Sequence, residues 1–214
     1  MGVLGQISRY APKSLKQAGL YQRFSRELRV RSLRKQIAVA QPLNVVIGSG
    51  PTAFEGWFPT DRAILDVTSP DDWRNLFEPN SIDRLLAEHV LEHLSEDQCK
   101  TVLSECYRYL KRPGLFRIAV PDGYRRDRVY VAEVSPPNAG HQVLYEVDTL
   151  TALLENVGFV VTPLEYFDAN EQFHCVPWDE REGHIQRSIR FDSQVAFQRD
   201  NLFFTSLIVD ARKI

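Results

Sequence analysis

At 214 residues and a formal net charge of −2, with 43% hydrophobic and 25% charged residues, the chain has the make-up of an ordinary globular domain. No apolar run reaches the length of a membrane span, there is no signal-peptide core, and Cys99, Cys106 and Cys175 form no C-x-x-C. A disulfide framework and a zinc knuckle are therefore not expected, and one sizeable cytoplasmic domain with reduced thiols is.

The charge is unevenly spread. Residues 1 to 40 carry nine basic side chains against Glu27 alone, a balance of +8 that leaves −10 for the rest. Leu20, Phe24 and Leu28 recur at four-residue spacing, which predicts a helical arm with one apolar face. Such an arm suits peripheral contact with an anionic surface such as the inner face of a membrane, or packing on an acidic part of its own body. Its composition is also that of an organelle transit peptide. Nothing calls for a nucleic-acid partner, and the oligomeric state is not legible.

The main domain is expected over residues 41 to 214. Val45-Val46-Ile47 ending in Gly48-Ser49-Gly50 has the form of a buried parallel strand entering a glycine turn, where the backbone can approach a ligand closely. Barely one helical turn fits before a second strand at Trp57 to Thr60, and Asp61 at its end has the chemistry to hold a ribose diol. Ile64 to Val67 reads as a third short strand. Ser69 then caps a helix with Pro70 at its first position, which places Asp66, Asp71 and Asp72 where an adenine amino group could be held. Those acids are equally explained by the helix dipole.

A strand over Ser81 to Ala87 leads into Glu88-His89-Val90-Leu91-Glu92-His93-Leu94. Ser95 and Gln98 have capping-box spacing for a helix carrying Val102, Leu103, Cys106, Tyr107 and Leu110, which Pro113-Gly114 stops before a strand at Leu115 to Val120. A long loop follows. Asp148 is expected to cap a helix closed by Gly158, and strands are expected at Phe159 to Leu164 and Phe203 to Val209, with a polar insert holding Asp168, His174, Trp178 and Arg187 between them. Alternating strands and helices predict a doubly wound α/β sheet, the final two strands forming an antiparallel pair at one edge.

Three chemistries compete for these motifs. Gly48-x-Gly50-x-x-Ala53 with Asp66 fits a dinucleotide fingerprint, but Pro51 and Gly56 leave little helix to receive a pyrophosphate. His89-Val90-Leu91-Glu92-His93 matches H-x-x-E-H, in which two histidines on one helical face would bind zinc, with Glu165 or Glu171 as a distant third ligand. The third reading takes all the pieces together. Leu43 to Asp61, Ser81 to Leu94, Arg108 to Gly114 and Arg117 to Asp122, with Ala152 to Phe159 and Tyr166-Phe167, resemble the class I S-adenosylmethionine-dependent methyltransferases, in particular a small bacterial branch with a short first helix. Where the family pattern has a further glycine after Gly50, this chain has Pro51-Thr52.

The resemblance implies a Rossmann-like, mostly parallel sheet with an antiparallel edge strand, and S-adenosyl-L-methionine as cofactor. No metal is implied. Gly48, Ser49 and Gly50 would approach the methionine part and Asp61 the ribose. Asp66 or Asp72 with Trp73 would border the adenine, and Glu88 and His89 would line the cofactor beside the acceptor. His89 or His141 would act as a base on a weakly acidic acceptor. Substrate loops are expected at residues 121 to 145 and 167 to 201. The acceptor class best matched to the basic arm is a surface-glycan or lipid-linked intermediate. A methyltransferase-like module that binds without turnover is the other outcome.

Overall fold

The computed structural model describes residues 15–51, 53–192 and 205–214, and its contacts divide the chain into two units, Met1–Ala40 and Gln41–Ile214. In the first, helix α1 spans Leu15–Ile37 and ends in Arg34 and Lys35, whose charge complements the free carbonyls of the last turn. Arg9 and Lys13, and the side chains of Lys16, Leu20 and Arg23, lie outside the described residues.

The second unit is built on a sheet of β1 (Asn44–Ile47), β2 (Phe58–Pro59), β3 (Ile82–Glu88), β4 (Leu110–Val120), β5 (Val160–Phe167), β6 (Phe173–Cys175) and β7 (Leu207–Lys213), in the order β2-β1-β3-β4-β7-β5-β6. The β2-β1, β1-β3 and β3-β4 ladders are parallel, and those of β7 with β4 and β5, and of β6 with β5, are antiparallel. The central strand β1 is buried along its whole length, and β4 is buried from Leu115 to Val120, as strands covered on both faces must be, with Arg117 the one charged residue of that stretch. The two strands expected as an antiparallel pair, β5 and β7, do pair in that sense, but the edge is taken by β6, from the segment expected as a polar insert. The last strand, β7, is also reversed but lies further in, between β4 and β5.

Local capping sets the helix starts. Ser69 accepts from Asp72 N at the head of α2 (Pro70–Leu76). Ser95 and Gln98 exchange reciprocal bonds of 3.4 and 3.0 Å at the head of α3 (Glu96–Tyr109). The core face of α3 holds Val102, Leu103, Cys106 and Tyr109; Cys99 is buried there too, and burial raises both thiols. The loop after β4 contains α4 (Arg128–Val134), and α5 (Val147–Glu155) follows it. The segment between β6 and β7 carries only a 3-10 turn at Glu180–Glu182 and α6 (Ile189–Asp192) among the described residues. Residues 193–204, part of the expected second substrate loop and the start of the expected last strand, lie outside them.

That segment covers one face of the sheet. Trp178 and Ile185 pack on Val46, Leu86, Ala119, Leu164 and Ile208, drawn from five strands. It is pinned by Arg117, a fully buried arginine of β4, whose Nε and Nη2 meet Asp210 at 2.7 and 2.9 Å. Nη1 of Arg117 donates to the carbonyls of Asp179 and Gly183, both at 2.7 Å, and the guanidinium lies 4.7 Å from the Trp178 ring centre.

Four expectations are corrected. Ile64 to Val67 forms turns, because Asp61 takes the N–H of Ala63, Asp66 that of Thr68, and Asp72 that of Asp66; local carboxylates outcompete a strand partner. The described residues between Gly48 and Trp57 contain no helix, since Gly48, Gly50 and Gly56 all have positive φ. Pro113-Gly114 sits inside β4, which begins directly at the end of α3. The residue flanking α5 is Glu146, whose N–H donates to Thr149 Oγ1, and Asp148 lies in the first turn.

Candidate functional site

β1 and β3 are parallel neighbours, with Ile47 opposite Ala87, so Gly48-Ser49-Gly50 and Glu88-His89 emerge side by side. Thr60, just past β2, ties in from the other side: its N–H and Oγ1 both donate to Val46 O at 2.8 Å, and Ser49 N donates to Thr60 O at 2.8 Å. Asp61 is thereby held next to the glycine turn. Around these strand ends lies a cleft of about 450 Å³ walled by Gly48, Asp66, Thr68, His89, Val90 and His93 among others. A smaller hollow of about 150 Å³, bounded by Ser49, Glu88, Gln186 and Arg187, shares Gly48 and His89 with it. This is the carboxyl edge of a doubly wound sheet, where such sheets bind ligands.

Gly48 has φ +64°, and a Cβ there would stand 2.5 Å from Val90 Cγ2. The wall is therefore bare backbone of necessity. His89 also has a left-handed backbone, φ 55°, unusual for a residue with a side chain and a mark of functional sites. Its Nε2 lies 3.0 Å from Ser206 Oγ, and its Nδ1 lies 3.3 Å from Arg187 Nη1 and 2.9 Å from Glu92 Oε1.

The structure brings Gly48, Asp66 and His89 together at the cleft and Ser49 and Glu88 at the hollow, and sets Asp61 beside them. Asp66 is half-buried, and the Thr68 hydroxyl at 2.6 Å holds its carboxyl below the usual range. Gly50, φ +53°, has open space where a Cβ would go. Trp73 is corrected: it is sealed in the core, stacked 5.5 Å from Tyr109 with Nε1 on Val67 O, and lines neither the cleft nor the hollow. Asp72 likewise serves the fold, accepting from Asp66 N at 2.9 Å. Both oxygens of Glu88 are engaged, accepting from the N–H groups of Gln186 at 3.1 Å and Arg187 at 2.7 Å.

H-x-x-E-H does not form one helical face. Leu91–His93 is a 3-10 turn and His89 precedes it with its ring aimed at Ser206, so His89 and His93 do not converge. His141 is buried outside the cleft, its ring 4.9 Å from that of His93 and its Nδ1 2.7 Å from Val134 O. Glu165, proposed with Glu171 as a distant ligand, accepts from Trp178 Nε1 and Ile189 N. The dinucleotide reading fails for want of a described helix after Gly50 to receive a pyrophosphate. Arg187 and Ser206 were not singled out for the site from sequence. Neither has a local signal, since they meet His89 across separations of 98 and 117 residues.

A family profile described as "Methyltransferase domain" matches residues 66–118, which run from the loop before α2 through most of β4. No curated protein matches the chain. Among solved structures, it is similar to an S-adenosylmethionine-dependent methyltransferase of Archaeoglobus fulgidus, 18% identical over 88% of this chain and 94% of that one, with a TM-score of 0.48. It is also similar to a possible histamine N-methyltransferase of Thermotoga maritima, 16% identical over 92% and 99% of the two chains, TM-score 0.45. A third likeness is to the Burkholderia thailandensis 1,6-didemethyltoxoflavin-N1-methyltransferase, with S-adenosylhomocysteine bound, 16% identical over 86% and 77%, TM-score 0.44. The stretch that matches the methyltransferase-domain profile thus runs through the middle of a doubly wound, Rossmann-like sheet.

Proposed function

We propose that the cleft at the ends of β1 and β3 holds S-adenosylmethionine and presents its methyl group to an anionic, hydroxyl-bearing acceptor. The observation that carries this reading is the bare backbone at Gly48, where a Cβ would meet Val90 Cγ2 at 2.5 Å, in the wall of a cleft of about 450 Å³. That volume lies in the usual range for a small-molecule site. The methionine part would lie against Gly48, Ser49 and Gly50. Among the described residues Asp61 accepts from Ala63 N through Oδ1, which leaves Oδ2 for a ribose hydroxyl, and the turn at Asp66 to Thr68 would border the adenine.

When bound, the cofactor supplies a methyl carbon activated by a sulfonium. Its transfer is an in-line displacement, so the chain's task is alignment and exclusion of water. His89 is the residue best placed to act on the acceptor, being shared by cleft and hollow and only slightly exposed. His141, outside the cleft lining, is the weaker candidate for a base. Arg62 and Arg187 flank the two spaces, and with the +8 arm they favour an acidic acceptor such as a glycan or lipid-linked intermediate.

The test is calorimetric titration with S-adenosylhomocysteine, with NADH as the comparison. Saturable binding of the first alone supports the reading; binding of NADH alone overturns it. Glu88 favours a second reading, a binding module without turnover, because each of its oxygens holds backbone of the covering segment. Binding of S-adenosylhomocysteine with no methyl transfer to anionic lipid or glycan extracts would favour that reading.

A further inference from the structure

Glu92 sits fully buried in the 3-10 turn after β3, and neither of its carboxylate oxygens has a hydrogen bond. A buried carboxylate in that state costs several kcal/mol unless something supplies a counter-charge or a proton. His89 is the nearest group, with Nδ1 2.9 Å from Oε1, but the approach is out of line for a hydrogen bond. The same Nδ1 is faced by Arg187 Nη1 at 3.3 Å, and a guanidinium N–H only donates. With Nε2 directed at Ser206 Oγ, the His89 lone pair serves Arg187, and His89 has no proton left for Glu92.

Two other imidazoles face the orphaned group. Glu92, His93 and His141 each offer a ligand atom, all within 4.8 Å of one another. His93 Nδ1 lies 3.2 Å from Gly140 O, and His141 Nδ1 lies 2.7 Å from Val134 O. Each ring thus gives its Nδ1 proton to a backbone carbonyl and leaves Nε2 as an unprotonated donor, with no hydrogen bond reaching either Nε2 among the described residues. That is the outer support which orients metal-binding histidines. The two segments are also clamped together: Gln142 N donates to Glu92 O at 2.7 Å, and Gln142 Nε2 donates to His93 O at 2.7 Å.

We propose that Glu92, His93 and His141 bind a divalent transition-metal ion of the zinc type, with His89 outside the ligand set. Two imidazoles and one carboxylate are a donor set that zinc takes in sites keeping a fourth position open. The ion gives Glu92 the counter-charge it lacks. His93 and Gln142 line the larger cleft, so the open position stands at its wall. Taken with the methyl-transfer reading, on which this last step rests, the ion would hold and acidify an acceptor oxygen.

The experiment is titration of the chelator-treated full chain with Zn²⁺ by calorimetry and with Co²⁺ by visible absorption. One equivalent is expected to bind. His93→Ala, His141→Ala and Glu92→Gln should each raise the dissociation constant at least tenfold, about the lower end of what losing even an outer partner costs. His174→Ala, which removes a histidine paired with Asp168 elsewhere, should leave it unchanged. His93 is exposed, so its variant decides the matter if either buried one fails to fold. Absence of a saturable equivalent, or His93→Ala binding like the parent, overturns the site. S-adenosylhomocysteine binding on the same metal-free samples separates the two proposals: retained binding without metal uptake sinks only the ion, and metal uptake without it sinks only the cofactor geometry.

Discussion

Gly48 and Gly50 share a left-handed backbone but not surroundings: a Cβ on the first meets Val90 at 2.5 Å, and one on the second meets nothing within 4 Å. Gly50→Ala should therefore lose only the conformational cost, about 1–2 kcal/mol of stability in urea unfolding. Gly48→Ala should lose that and more, together with affinity for S-adenosylhomocysteine. Equal losses for the two would show that the wall at Val90 yields. His89 is held by Ser206 and Arg187 at the cleft wall, so His89→Ala should lower turnover by about a hundredfold or more, the range of a general base, with cofactor affinity nearly kept. Unchanged turnover would make it a packing residue. At this scale Gly48 was legible because a glycine turn after an apolar run is a local signal. Trp73 was not: its seat on Tyr109 depends on a contact 36 residues away in sequence, which no neighbouring residue announces. The H-x-x-E-H spacing misled for the same reason. Its face exists only on a regular helix, and the left-handed His89 ahead of a 3-10 turn breaks it.

The elements divide along the same line. α2 and α3 begin where Ser69 and Ser95 indicated, because a cap is made within four residues. β6 and the inward place of β7 were hidden, since only the ladders to β5 and β4 define them. The segment between β6 and β7 is polar in sequence, yet its Trp178 and Ile185 close one face of the sheet. Its anchor is Arg117, so Arg117→Met should destabilise by about 3–5 kcal/mol, because Asp210 is left buried without its main partner. Arg212, 3.6 Å from Asp210, puts the value at the lower end. The pair Arg117→Met with Asp210→Leu should recover much of the loss in thermal unfolding. No recovery would mean that the carbonyls of Asp179 and Gly183, not the ion pair, are what Arg117 serves.

For the molecule as a whole, the doubly wound sheet was legible from the alternation of apolar strands and capped helices. The sharing of charge between buried and exposed sites was not. Asp122, at the end of β4, accepts from Phe167 N and Tyr124 N, yet burial lifts its carboxyl from 3.8 to about 6. The folded chain therefore binds this proton more tightly than the unfolded one. Its contribution is fully present below about pH 4 and is lost as pH rises through 6, about 3 kcal/mol in all. Asp66 works in the opposite sense: lowered by the Thr68 hydroxyl, it adds stability above the ordinary aspartate range that is lost as pH falls. Comparing urea midpoints at pH 4 and pH 7 in the parent and Asp122→Asn isolates the first effect, and the same pH step in both would remove Asp122 as its source. The position of β7 has a further consequence, for the order in which the molecule is made. Its residues are synthesised after every other described strand, yet it must be threaded between β4 and β5, and the residue just before it, Ser206, touches His89. During translation the ends of β1 and β3 can meet early, but the histidine that follows β3 lacks its Nε2 partner until the chain has passed residue 206. Competence to bind at the glycine turn and competence to act on an acceptor therefore arise at different moments of the chain's synthesis.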